Sequence, residues 1–183
     1  MKNKGTLFIL SAPSGGGKSS IIKALLKEVP NLWLSVSVTT RYKRADEQDG
    51  LDYHFITLKE YAGLQQDGQL LESAQVYDYY YGTPKEPVFA KLASGTDVIF
   101  DIDWQGAQSL RQITQYQVVS IFLLPPSIAE LKKRLLARGD DPAIIERRML
   151  KAQDECDKAA QYDHALVNQD FAATLAAVRK IIA

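Results

Sequence analysis

The chain has 183 residues, 46% of them hydrophobic and 24% charged, values of a globular domain that exclude a disordered tract, a collagen-like repeat and an integral membrane protein. Its 22 basic and 22 acidic residues balance to a net charge of +0, so no global field draws nucleic acid or an anionic membrane, and any anion site must be local. One cysteine, Cys156, leaves no internal disulfide and fits a reducing compartment, where its expected place is one face of a helix.

The opening residues, Met1 to Gly5, lead into an apolar run of only Leu7 to Leu10, too short for a signal segment or a membrane span, and the expected location is cytoplasmic. Along the chain, Thr6–Leu10, Leu34–Val38, Val98–Ile102, Val118–Leu124 and Ala165–Val167 read as buried strands. Helical patterns usually follow them, which predicts an α/β fold of the P-loop NTPase type, a parallel sheet with helices on both faces. A helix is expected over Ile21–Lys27. Thr57 with Glu60 and Ser127 with Glu130 match the capping box and open helices over Leu58–Gln66 and Ile128–Ala137.

Between residues 39 and 84 the rhythm breaks. Tyr53–Ile56, Leu70–Val76 and Tyr79–Tyr81 are short β-like pieces around one helix, which reads as a small α+β insertion in a core made of 1–38 and 85–183. A single domain over 1–183 is expected. Arg138-Gly139-Asp140-Asp141-Pro142 separates two arginine-rich helices and marks a loop able to move, within a lid of about 127–157.

The strongest signal is Ala12-Pro13-Ser14-Gly15-Gly16-Gly17-Lys18-Ser19, set between a strand and a helix. It matches the phosphate loop G-x-x-x-x-G-K-[ST] except that Ala12 stands first in place of glycine. Glycines let backbone N–H groups turn inward as an anion nest, and the following helix adds its positive end. Lys18 would reach the β/γ-phosphates and Ser19 would meet Mg²⁺, with Ser20 the neighbouring hydroxyl. Asp101, at the end of an apolar strand, reads as a Walker B acid near the metal. Asp103 follows two residues on. It either continues the strand and shares the face of Asp101 or caps the helix starting near Trp104.

Arg134, Arg138, Arg147 and Arg148 bracket the Gly/Pro loop, and either form a lid over a transferring phosphoryl group or lie on a solvated helix face with acidic neighbours. Arg41 and Arg44 could fork onto a second phosphate, which implies a second phosphorylated substrate. His54 and His164 are expected to be structural, and Trp33 and Trp104 to pack.

With these blocks in place the chain resembles the guanylate kinases over nearly its whole length. The resemblance runs from the phosphate loop through Thr39-Thr40-Arg41, Arg44, Glu47, Gly50 and Asp52-Tyr53, then Glu72 and Tyr80-Tyr81-Gly82-Thr83. It continues through Asp101-Ile102-Asp103-Trp104-Gln105-Gly106, Pro125-Pro126-Ser127 and Val167-Asn168. It implies transfer of a phosphoryl group from ATP to GMP with Mg²⁺, on a fold whose insertion binds GMP. By resemblance Glu72 and Thr83 read the base with Asp103 at the guanine edge. Arg41, Arg44, Tyr53 and Tyr81 hold the GMP phosphate, supported by Glu47 and Asp101, and Arg134, Arg138 and Arg148 act from the lid. Asn168 is expected near the adenine of ATP. Lys43, Asp46 and Gln169 stand where the family usually has Pro, Gly and Asp, and the lid loop is one residue short. The competing readings are a kinase of another nucleoside monophosphate, against which Glu72 with Thr83 argues, and a binding module that keeps the fold without catalysis. ATP and GMP are the expected partners, with no nucleic acid or membrane; the sequence leaves oligomerisation open.

Overall fold

A computed structural model describes residues 4–183; the reading of Met1 to Asn3 lies outside the described residues. Five parallel strands form the main sheet in the order β2-β7-β1-β8-β9: β1 (Leu7–Ser11), β2 (Leu32–Ser35), β7 (Asp97–Asp101), β8 (Val118–Leu124) and β9 (His164–Val167). The central strand is covered on both faces, so it reads as an unbroken apolar run instead of alternating. Phe8 and Leu10 point to one core with Ile21, Ile22 and Leu25 of α1 (Lys18–Glu28) and Val178 and Ile182 of α7 (Phe171–Ile182). Leu7 and Ile9 point to the other, with Val88 and Leu92 of α3 (Lys85–Ala93) and Leu110 of α4 (Trp104–Leu110).

The expected strand Leu34–Val38 is in fact two. The first, β2, ends at Ser35, and β3 (Val38–Thr39) belongs to a second sheet of order β4-β3-β6-β5. The insertion therefore starts its own sheet at Val38, with β4 (His54–Phe55), α2 (Leu58–Gln66), β5 (Leu70–Val76) and β6 (Tyr79–Pro84) following. The capping box of α2 is present: Thr57 and Glu60 satisfy each other's backbone donors. Helices α3 and α7 were not among the expected elements. In α3 the start is hidden by two prolines, Pro84 at the cap and Pro87 in the first turn, while Asp170 caps α7 by accepting from the Ala173 N–H.

The expected lid segment comprises α5 (Ile128–Ala137) and α6 (Pro142–Asp157), followed by a short 3₁₀ turn over Lys158–Gln161. Gly139, at φ 82, closes α5, and Asp141 caps α6 with Pro142 in its first turn, so the loop between the helices is punctuated by residue chemistry at both ends. Cys156 lies on α6, half-buried.

Candidate active site

Sheet register places the site. Leu10 pairs with Asp101, so the chain leaving β1 and the end of β7 emerge side by side at the carboxyl edge of the sheet, where open α/β folds bind ligands. The loop that follows turns through Gly15 at φ 85 and Gly17 at φ 89, backbone that an L side chain rarely adopts. A Cβ on Gly17 would stand 2.4 Å from Asn168 Nδ2, so glycine is needed there for space as well. Lys18 and Ser19 then begin α1 and converge on one carboxylate: Lys18 Nζ is 2.7 Å from Asp101 Oδ1, and Ser19 Oγ donates to Asp101 Oδ2 at 2.9 Å. Lys18 Nζ also donates to the Ile102 carbonyl at 3.0 Å.

Asp103 does not extend the strand. Its carboxylate accepts from the Gln105 and Gly106 N–H groups as the cap of α4, and from Gln105 Nε2, while its side of the chain still faces the cleft. Asn168 lies beneath the phosphate loop. It is 5% exposed, its Nδ2 donates to the Gly16 carbonyl at 2.8 Å, and its own carbonyl accepts from Arg134 Nη2 at 3.0 Å. Its side chain is spent bracing the phosphate loop from behind, away from the cleft wall.

The cleft itself has a volume of about 560 Å³ and runs from the phosphate loop, Ala12 to Ser20, to the insertion and the lid. On the insertion side, Glu47 organises a basic corner. Arg41 donates from Nη1 and Nη2 to Glu47 at 3.0 and 2.7 Å, and the Arg44 N–H donates to the same carboxylate at 2.8 Å. Lys43 Nζ ties the loop by donating to the Glu47 carbonyl. The Arg41 guanidinium lies over the rings of Tyr53 and Phe55 at 5.5 and 5.6 Å, and Tyr53 meets Tyr81 edge to face at 5.9 Å. Burial works against the charge on Arg41, but Glu47 and the nearby Tyr81 hydroxyl outweigh it and raise its pKa. Arg44 is the opposite case: burial, then the charges of Arg41 and Arg138, push its pKa down. Such a corner carries more positive charge than Glu47 neutralises, which is what an incoming dianion relieves.

Deeper in, Thr83 Oγ1 donates to Glu72 Oε1 at 2.7 Å, and both residues are buried. The carboxylate lies against α4: a Cβ on Gly106 would stand 2.6 Å from Glu72 Oε2, so only glycine admits it. Burial, reinforced by the charge of Asp103 and opposed by Thr83 and Lys18, pushes the Glu72 carboxyl up to about 7. A residue that sequence reasoning missed completes this corner. Ser37, buried in the cleft wall, has its hydroxyl 3.2 Å from that of Thr83. Its signal was the pair of serines, Ser35 and Ser37, at the point where the chain leaves one sheet for the other.

Above the cleft stand Arg134, Arg138, Arg147 and Arg148. Arg134 is held by Glu130 as well as by the Asn168 carbonyl. Arg138 donates from Nε and Nη2 to Asp140 at 2.8 and 2.5 Å, and Arg148 donates to the same carboxylate. Two guanidinium groups thus converge on one acid. The structure thus gathers the phosphate loop, Lys18, Asp101, Arg41, Arg44, Tyr53, Tyr81, Glu72, Asp103 and the lid arginines around one cavity, with Glu47 and Thr83 directly behind its wall and Asn168 beneath the loop.

Comparison with known proteins agrees with this arrangement. The family model described as guanylate kinase matches residues 4–183. A guanylate kinase of Rhodospirillum rubrum is 49% identical over 180 residues, covering 98% of this chain and 83% of that protein. One of Rickettsia bellii is 50% identical over 182 residues, covering 99% and 95%. The crystal structure of guanylate kinase from Anaplasma phagocytophilum superposes with a TM-score of 0.84 at 33% identity, covering 99% of this chain and 86% of that one. A nucleotide-phosphate loop facing a buried carboxylate and a second basic corner, in a chain matched along its whole described length, makes this protein a member of the guanylate kinase family.

Proposed function

We propose that the chain transfers the γ-phosphoryl group of ATP to the phosphate of GMP, and of dGMP, yielding ADP and GDP or dGDP. The observation that carries this reading is the presence of two anion sites in one cleft, the Lys18 loop and the Arg41/Arg44 corner, with lid arginines between them. A hydrolase needs one phosphate site; a transferase between nucleotides needs two.

Recognition of the acceptor follows from complementarity. Guanine presents N1–H and an exocyclic NH₂ beside a carbonyl oxygen, so the Glu72 carboxylate accepts from the two donors and a hydroxyl donates to O6. Thr83 has one proton and gives it to Glu72, so Ser37 is the donor in its contact with Thr83, and rotation of that hydroxyl would redirect its proton to O6. Adenine lacks both donors and would leave a buried carboxylate unpaired, at a cost of several kcal/mol, on the order of 10⁴ in discrimination.

In the reaction a GMP phosphate oxygen attacks the γ-phosphorus in line, the bond to the β,γ-bridging oxygen breaks, and its electron pair leaves with ADP. The phosphate of GMP has a second pKa of about 6, so near neutral pH the nucleophile is already a dianion and no general base is needed. Arg41 and Arg44 hold it. Lys18 and the lid groups Arg134, Arg138 and Arg148 balance charge on the transferring oxygens, and closure excludes the water that would otherwise hydrolyse ATP.

Mg²⁺ fits the floor of the site, where Ser19 Oγ and an Asp101 carboxylate oxygen lie 2.9 Å apart. Hard oxygen donors in so small a number suit an ion that keeps waters and shares the substrate's phosphates. When bound, it would neutralise charge on the β- and γ-phosphates. We assign the activity to the cytoplasm, where ATP is abundant and a lone Cys156 stays a thiol. Among the described residues no helix is long and apolar enough to cross a membrane. The non-catalytic alternative has no use for a lysine and six arginines lining one cavity.

The test measures ADP formed from ATP and Mg²⁺ with GMP, dGMP, AMP, UMP and dTMP in parallel, with Lys18→Ala and Glu72→Ala as variants. Turnover with GMP and dGMP alone, lost in both variants, is the expected result. Binding of GMP without ADP formation would make the chain a binding module, and preference for AMP would overturn the base reading.

A further inference from the structure

The hairpin between β5 and β6 turns in two residues, Tyr77 and Asp78, because Val76 pairs with Tyr79. Turns of this length favour glycine or asparagine where φ is positive. Tyr77 nevertheless sits at φ 56, the one non-glycine residue with positive φ among the described residues. An aromatic residue in the left-handed region is strained, and such strain persists where neighbours over-determine it.

The neighbours are on the lid. Arg147 and Lys151, one turn apart on α6, stand 5.3 and 5.2 Å from the Tyr77 ring centroid. The Asp78 carboxylate accepts from Arg147 Nη1 and Nη2 at 2.7 and 3.2 Å. The Tyr77 hydroxyl is buried and has no hydrogen-bond partner, so the ring is placed by the cations on its face and not by its polar end. The root of the hairpin is fixed to the core, since Gln105 Nε2 of α4 donates to the Gln75 carbonyl. A strained tip on a braced root is thus engaged by α6 through two different interactions.

We propose that Tyr77 and Asp78 are positioning residues that latch the lid onto the acceptor-binding insertion through Arg147 and Lys151. The proposal rests on the phosphoryl-transfer reading, in which Arg148 must be aimed at the transferring group; Arg147 precedes it directly, and fixing one orients the helical turn that carries the other. Both members of the ion pair are more than half exposed, with side chains 54% and 66% accessible, so the latch is weak, reversible and screened by salt. A cleft that must open in every cycle needs that property.

A charge-swap cycle tests it. Asp78→Arg and Arg147→Asp alone each place like charges together and raise KM for GMP about threefold to tenfold, with KM for ATP little changed. The double swap restores opposite charges and returns KM for GMP toward the wild-type value. Side chains that act independently of each other would make the two losses add, and an ion pair serving stability alone would leave KM for GMP unchanged in the single swaps. A second readout needs no turnover: spin labels at Tyr42→Cys and Leu150→Cys, both highly exposed, in a Cys156→Ser background. The single swaps are expected to broaden and lengthen the label distance, and the double swap to restore it. Additive losses, or an unchanged distance distribution in the single swaps, would overturn the latch. A wild-type protein without GMP turnover would overturn the phosphoryl-transfer reading instead, while the distances would still decide the latch.

Discussion

Thr83 reaches across the paired strands β5 and β6 to donate to Glu72 at 2.7 Å, in a pocket where both side chains are buried. That single bond does not offset burial, so the Glu72 carboxyl titrates at about 7 in the free protein. Guanine needs the ionised form, which accepts from both its donors. KM for GMP should therefore rise as pH falls below 7, approaching about tenfold per unit, as expected when one proton competes with the ligand. The GMP phosphate also titrates near 6, so a Glu72→Gln variant is the control: it should retain only the phosphate's inflection.

The same residue gives a stability prediction of opposite sense. A carboxyl whose folded pKa of about 7 exceeds its unfolded value of 4.5 holds a proton in the fold that the unfolded chain has released, so stability falls as pH rises through that window. Above it the buried charge costs on the order of 3 kcal/mol, at about 1.4 kcal/mol per unit. Glu72→Gln should resist denaturant better than the wild type at pH 8, should lose that advantage at pH 5, and should bind GMP poorly at both.

Lys18 and Asp101 form the ion pair at the mouth of the phosphate loop, each side chain less than one-fifth exposed. Lys18→Ala should lower kcat by about 10² to 10³, the usual effect of removing one preorganised charge from a transition state. It also leaves Asp101 without its cation beside incoming phosphates, so KM for ATP should rise as well. Asp101→Asn keeps Lys18 free and should show instead a higher requirement for Mg²⁺, read from the metal dependence of turnover.

Much of this was legible in the sequence where chemistry and periodicity coincide. The phosphate loop has a composition no ordinary turn requires, β5 and β8 have the boundaries their apolar patterns gave, and the capping box of Thr57 with Glu60 sets the start of α2, while at α5 only the Ser127 half of the box forms because the Glu130 carboxylate pairs with Arg134. What escaped depends on contacts remote in the chain. Leu34–Val38 reads as one strand, and its pair of serines alone does not say that β2 ends at Ser35 and that Ser37 lines the cleft. Asn168 stands where a strand meets the site, but only the tertiary approach of Gly16 shows that its amide is already taken. Asp103 had two readings from spacing alone; the N–H groups of Gln105 and Gly106 decide for the cap.

Ser37→Ala isolates the hydroxyl that the sequence concealed. If Thr83 spends its proton on Glu72, loss of Ser37 leaves guanine O6 without a donor, and KM for GMP should rise about tenfold, the value of one hydrogen bond left unmade. Equal affinity in the variant would mean that Thr83 switches partners when the base arrives.

Asp140 tests how the lid arginines are aimed. It accepts two hydrogen bonds from Arg138 and one from Arg148, and the Arg138 bonds, acting against burial, hold its pKa below the ordinary value. One view makes this acid a competitor that the transferring phosphoryl group must displace; removing it would then speed the reaction. The charges nearby argue otherwise. Arg44 already has its pKa depressed by burial and by Arg41 and Arg138, and around it Arg41, Arg138 and Arg148 face only the Glu47 and Asp140 carboxylates. Without Asp140, Arg138 and Arg148 would repel each other and Arg44, and would turn out to solvent before a substrate arrives. Reordering them in the transition state costs catalysis that preorganisation supplies. Asp140→Asn should therefore lower kcat about tenfold, with KM for GMP and ATP changed much less, since the arginines act on charge that spreads only during transfer. Because an ionised Asp140 stabilises the fold and loses that effect as pH falls through its depressed pKa, the variant should lose less stability on acidification than the wild type, the remainder coming from carboxylates such as Glu47 and Asp163. A rise in kcat would make Asp140 a competitor for the arginines instead of their guide.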